Sequence, residues 1–106
     1  RLKRFAKVAG EMVSLEVVEA LARAASDEAM HAATCVPDPG RGESIVLFTT
    51  DPALTREQLA QVARAHKLPE IALPRRIRVV ESLPVLGTGK INYPLLKTWA
   101  EDATTT

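Results

Sequence analysis

Apolar residues recur along this chain with two different spacings, and the changes between them predict the order of its elements. RFAKVAGEMVS (residues 4–14) alternates about Gly10, the pattern of a small β-hairpin with a glycine turn. SLEVVEALARAA (14–25) shifts to helical spacing. Leu15, Val18, Ala22 and Ala25 share one face, Ser14 suits the N-cap, and Glu16 lies at the positive end of the dipole. MHAATCV (30–36) reads as a strand closed by the turn residues of PDPGRGE, and SIVLFTT (44–50) as a strand covered on both faces.

DPALTREQLAQVARAH (51–66) predicts a second helix. Thr55 and Gln58 are spaced as a capping box, and Leu59, Val62, Ala63 and His66 form its stripe. Pro69 and Pro74 interrupt the chain before RRIRVVESL (75–83), an alternating strand with Ile77 and Val79 on one face. After a glycine loop, YPLLKTWA (93–100) makes a short last helix, and the polar tail EDATTT is expected to be disordered over 102–106. The order ββ-α-β-β-α-β-α implies an α+β fold: a small mixed β-sheet with flanking helices and an N-terminal β-hairpin.

Composition narrows the function classes. At 106 residues the chain fits a single domain, and 46% apolar residues give it a core that 4% aromatics make mostly aliphatic. A net charge of +1 supplies no global field for nucleic acid or an anionic membrane. The single cysteine, Cys35, excludes an internal disulfide and suits a reducing compartment. No run of apolar residues is long enough to span a membrane, and no signal-peptide pattern occurs. A chain that starts at Arg1 inside a basic segment reads as a piece of a longer protein.

His31, Cys35 and His66 are the candidate metal ligands, yet no pair has the spacing of a zinc site. Cys35, in an apolar strand, reads as a buried thiol rather than a nucleophile. The run RLKRFAK carries Arg1, Lys3, Arg4 and Lys7 before Glu11 answers them. Arg1, Lys3 and Lys7 share a strand parity with Phe5, which suits either a solvated edge strand or a face that meets phosphates.

LPVLGTGKINY (83–93) raises the sharper question, because it frames Lys90 between glycines and apolar residues. It is not a phosphate loop of the Walker type: the first glycine of that motif is missing, and Ile91 stands where the magnesium-binding Ser or Thr belongs. Two readings remain, an ordinary hairpin turn with a solvated lysine, or a lysine delivered to a partner by a glycine loop.

Together, RLKRFAKVAGEMVSLEVVE and LPVLGTGKINYPLLK resemble the C-terminal domain of the acyl-adenylate-forming enzymes. That superfamily contains acyl- and aryl-CoA synthetases, adenylation domains of peptide synthetases, and luciferase. Pro84-Val85-Leu86 and Ile91-Asn92-Tyr93, with GESIVLFTTDPALTREQL, LPEIALPRRIRVVESLP and LLKTW, are similar to the bacterial bifunctional acyl-[acyl-carrier-protein] synthetase and 2-acylglycerophosphoethanolamine acyltransferase branch.

The resemblance implies a mobile lid spanning residues 1–106 that serves a larger N-terminal adenylation domain. It implies a two-step reaction: a fatty acid attacks the α-phosphate of ATP to give acyl-adenylate and pyrophosphate, and a phosphopantetheine thiol of acyl carrier protein, or CoA, then takes the acyl group and releases AMP. ATP and Mg2+ would be held mainly by the N-terminal domain, with no metal in the lid. The setting is cytoplasmic, any attachment to the bacterial inner membrane being made by other domains. Lys90 matches the lysine that enters the site for adenylation, and Lys3 the hinge. Arg1, Lys7, Gly87 and Gly89 match positions near the nucleotide or substrate, and Gly10 the glycine beside the pantetheine tunnel. Two alternatives stand beside it: an acyl- or aryl-CoA synthetase domain, and a non-catalytic module docking an acidic carrier protein on Arg1, Lys3, Arg4 and Lys7.

Overall fold

The computed structural model describes residues 4–40 and 42–104, with the backbone alone for 102–104. Strands β1 (Phe5–Val8) and β2 (Glu11–Ser14) form the expected hairpin. Helix α1 (Leu15–Ala25) follows at once, capped by Ser14, whose Oγ accepts from the Val17 N–H at 3.4 Å. Strands β3 (His31–Asp38) and β4 (Gly42–Thr49) pair antiparallel along their whole lengths. Helix α2 (Arg56–Ala65) begins with the capping box of Thr55 and Gln58. A single 3₁₀ turn (Glu70–Ala72) lies between the two prolines, and β5 (Arg76–Val79) then joins the sheet parallel to β4. Helix α3 (Tyr93–Thr104) closes the fold.

The sheet runs β2-β1-β4-β3. Since β3 occupies one edge of β4, β1 and β5 share the other: β1 meets it at Gly42, and β5 pairs from Val46 to Thr49. One sheet direction is thus reversed, which makes the sheet mixed. Alternation along β3 and β4 divides the core in two. Ala33, Cys35, Ile45 and Leu47 face α1 and α2, where Leu15, Val18, Leu21, Leu59 and Ala63 meet them. Ala32, Val36, Val46 and Phe48 face α3 through Leu96 and Ala100. Trp99 closes the second cluster, its ring centroid 6.2 Å from that of Phe48. Both central strands are covered on both faces, which is why they read as continuous apolar runs.

Some sequence expectations shift. The stripe of α2 buries Leu59 and Ala63, while His66, as the helix's C-cap, is exposed. Ile77 packs on the core, whereas Val79 is 50% exposed because β5 ends at the sheet's edge; Val80 packs instead, against the α3 cluster. The backbone of α3 stays helical to Thr104, beyond the predicted end at Ala100 and into the segment expected to be disordered. Leu96 and Ala100, both fully buried, anchor the helix, and each further residue then adds a hydrogen bond to an existing nucleus.

Candidate functional site

Lys90 sits on a hairpin of its own. Val85 bridges Ile91, the Leu86 N–H donates to the Lys90 carbonyl at 2.7 Å, and the Asn92 N–H donates to the Pro84 carbonyl at 2.8 Å. Gly87, Thr88 and Gly89 form the loop between the arms, tightened by the Gly89 N–H on the Leu86 carbonyl at 2.8 Å. Gly89 has φ +89, the left-handed conformation a three-residue hairpin loop needs at its last position. The ordinary-turn reading therefore describes the backbone correctly, and the question passes to the side chain. Lys90 is exposed, with no ion pair or side-chain hydrogen bond among the described residues.

That ammonium stands on a groove of about 770 Å³ between the hairpin and α1. Gly89, Ile91 and Tyr93 line one side, and Glu16, Glu19 and Arg23 of α1 the other. Asn92 sets the hairpin's exit into α3: its Oδ1 accepts from the Leu95 N–H at 3.2 Å, a side-chain N-cap. Pro94 then falls in the first helical turn, where its missing N–H costs nothing.

The floor of the groove is an ionic hub. Glu19 is buried, and its carboxylate accepts from Arg4 Nη2 at 2.8 Å, from the Ala33 N–H at 2.8 Å and from the Tyr93 hydroxyl at 2.9 Å. Arg4 also donates from Nη1 to the Ala33 carbonyl at 2.9 Å, and its guanidinium lies 3.7 Å over the Tyr93 ring centroid. Burial, followed by the adjacent Glu19 charge, pushes the Tyr93 hydroxyl up to about 12. The phenol is a donor at neutral pH, as the geometry requires.

Of the other candidates, Lys7 is on the outward side of β1 and Gly10 at the hairpin tip; neither lines the Lys90 groove. Gly10 takes φ +86 beside Ala9 at φ 52, a two-residue turn with both angles positive. Gly87 is exposed and has open space where a Cβ would stand. Arg1 and Lys3 lie outside the described residues. Arg4 is not the docking cation expected from composition: its guanidinium is committed to Glu19, Ala33 and Tyr93.

Cys35 is buried, and burial together with the neighbouring Glu43 carboxylate, 3.4 Å from Sγ, raises its thiol pKa. It is a core thiol. Among the described residues no three His, Cys, Asp or Glu side chains gather as metal ligands, and no helix is long and apolar enough to cross a membrane.

Sequence reasoning missed the hub. A signal was there: Glu19 falls on the stripe of Leu15, Val18 and Ala22, so the helix had to bury a carboxylate. A buried charge needs partners, but with Arg23 one turn on and Arg4 and Lys7 upstream, the sequence did not say which cation would supply them.

The chain resembles solved structures over nearly its whole length. It is 30% identical to the amide bond synthetase McbA from Marinactinospora thermotolerans, with a TM-score of 0.77 over 93% of this chain and 20% of that one. It is 28% identical to an acyl-CoA synthetase from Brucella canis, with a TM-score of 0.80 over 100% of this chain and 20% of that one. MbtA from Mycobacterium smegmatis, at 23% identity, shares the fold with a TM-score of 0.82 over 92% of this chain and 19% of that one. The chain thus spans about a fifth of the length of these matches. Residues 15–90, from the first residue of α1 to the hairpin lysine, match the family described as the AMP-binding enzyme C-terminal domain, and to that family, within the adenylate-forming superfamily, this chain belongs.

Proposed function

We propose that this chain is the moving lid of an ATP-dependent, AMP-forming acid–thiol ligase, and that it carries the Lys90 ammonium to the reacting carboxylate and α-phosphate. The carrying observation is Lys90 itself: exposed, without an ion-pair partner among the described residues, and held on a hydrogen-bonded hairpin at the lip of a groove. ATP supplies the adenylyl group, and pyrophosphate leaves. Lysine is a compact charge with three donors on a flexible stem, suited to bridging two anions that repel each other. Negative charge grows on the α-phosphoryl oxygens and the leaving pyrophosphate, and an ammonium in a site closed to water stabilises that growth.

The remaining roles follow the same reading. Lys3 is the hinge that absorbs the torsional change of the swing. Arg1 and Lys7 approach the nucleotide and substrate, Gly87 and Gly89 let the hairpin lie against the nucleotide, and Gly10 leaves room for the pantetheine arm. The nucleotide and its Mg2+ are held mainly by the larger N-terminal domain. The fragment by itself should show no ATP–pyrophosphate exchange.

The favoured acceptor is a CoA-type thiol, with an acyl or aryl acid as donor: at 28% identity over its whole length, the chain is similar to an acyl-CoA synthetase. A fatty acyl-[acyl-carrier-protein] synthetase feeding 2-acylglycerophosphoethanolamine acylation is the second reading, supported by the Pro84-Val85-Leu86 and Ile91-Asn92-Tyr93 pattern. Offering CoA and acyl carrier protein in parallel to the complete polypeptide separates them. In that polypeptide, Lys90→Ala should slow acyl-adenylate formation about a hundred- to thousandfold. Thioester formation from supplied acyl-adenylate should be spared. Equal loss of both half-reactions would remove Lys90 from this role.

A further inference from the structure

We infer that Glu19 is a positioning residue that locks the Lys90 hairpin to the point where the chain leaves the hinge, so that lid and lysine swing as one rigid lever. The inference rests on the lid reading and adds to it the means by which motion at one end of the domain reaches the other.

Arg4 is one residue beyond the hinge position, and Tyr93 is three beyond Lys90. Glu19 joins them through one carboxylate, Oε1 to Arg4 and Oε2 to Tyr93, across 15 and 74 residues of sequence. The junction has little slack. Ala33 meets the same pair with both backbone groups, its N–H on Glu19 and its carbonyl on Arg4. The Arg4 carbonyl in turn accepts from the Leu15 N–H at 3.0 Å, which ties the chain's entry to the helix that bears Glu19. Tyr93 opens α3 directly after Asn92, and Asn92 closes the hairpin on Pro84.

Leu83 and Ile91 pack the feet of the hairpin on the α3 cluster, but apolar packing sets no direction for the loop. The Tyr93 hydroxyl adds a directed bond at the foot of the loop, and the guanidinium stacked on its ring restrains the other side. Placement of a reacting group is costly to lose: a shift of about 1 Å caused by a remote change can cost on the order of a hundredfold in rate. The hub thus serves the step that needs Lys90 and leaves the step that does not.

The test uses the complete polypeptide, with Tyr93→Phe as the main variant because it keeps the ring beneath Arg4 and removes only the hydroxyl. Glu19→Gln is the second variant, and Lys90→Ala the reference. Tyr93→Phe should lower kcat for ATP–pyrophosphate exchange about ten- to hundredfold, with KM for ATP and thioester formation from supplied acyl-adenylate each within about twofold. Glu19→Gln should move the same half-reaction in the same direction. A merely structural hub predicts a lower melting temperature and proportional loss of both half-reactions, and that result overturns the inference. So does an unchanged exchange rate in Tyr93→Phe when Lys90→Ala slows exchange as expected, and there the lid reading survives. If Lys90→Ala leaves exchange intact, the lid reading fails and takes the lever with it.

Discussion

The Tyr93 hydroxyl donates to Glu19 Oε2 at 2.9 Å, joining the first residue of the last helix to the middle of the first. The Glu19 side chain is 8% exposed and that of its partner Arg4 25%. Removing the carboxylate leaves Arg4 Nη2, the Ala33 N–H and the Tyr93 hydroxyl without their acceptor. Glu19→Ala should therefore cost about 2–3 kcal/mol of stability, toward the low end for a broken buried pair because water reaches Arg4. Glu19→Gln keeps the shape but replaces one acceptor oxygen by an NH2 that faces donors, and should cost about 1–2 kcal/mol. Urea unfolding of the domain in its parent protein reads both.

The same contact has a pH signature. The Tyr93 hydroxyl is raised from 10.0 to about 12, so the folded chain holds that proton more tightly than the unfolded one. The stabilisation it represents is whole below pH 10 and is lost as pH rises toward about 12. Because this is the chain's one tyrosine, phenolate absorbance on alkaline titration, compared with a Tyr93→Phe control, isolates the transition in this domain.

The two glycines beside Lys90 should respond differently to alanine. At Gly89, φ is +89 and the surroundings are open, so only the backbone objects to a side chain. Gly89→Ala should cost about 1 kcal/mol through left-handed strain and displace the lysine. Gly87→Ala meets neither strain nor contact and should change stability by less than about 0.5 kcal/mol. Thermal unfolding of the two variants side by side makes the comparison.

The first hairpin carries a correctable strain. Ala9 takes φ 52 next to Gly10 at φ 86, the turn for which Asn-Gly is the favoured pair. Ala9→Asn should stabilise the fold by about 0.5–1 kcal/mol, and Gly10→Ala should destabilise it by about 1 kcal/mol. Denaturant midpoints should move in opposite directions for the two.

Cys35 should resist modification while the chain is folded. Burial and the Glu43 carboxylate both raise its thiol pKa, so little thiolate is present at about pH 8. Alkylation should be slow in the native protein and fast after unfolding. Equal rates in both states would show that the thiol is not enclosed as described.

What the chain determined by itself was mostly local. Ser14 and Thr55 begin their helices because each side-chain oxygen meets an N–H three residues on, a geometry written within one turn. The apolar run of β4 announced a strand covered on both faces, and Gly10 and Gly89 stand where turns need positive φ. The motifs at both ends of the chain sufficed for a resemblance to the right superfamily. Tertiary structure decided the rest. Val79 read as sharing a face with Ile77, and His66 as part of the α2 stripe, but the sheet edge and the helix end left both exposed. Arg4 read as a cation for a partner, yet it turns inward because Glu19 is buried on the helix stripe and a buried carboxylate requires a counter-charge. Periodicity reports which side of an element is apolar. It carries no distance between elements, so a bond spanning 74 residues is decided only when two helices and a sheet have packed.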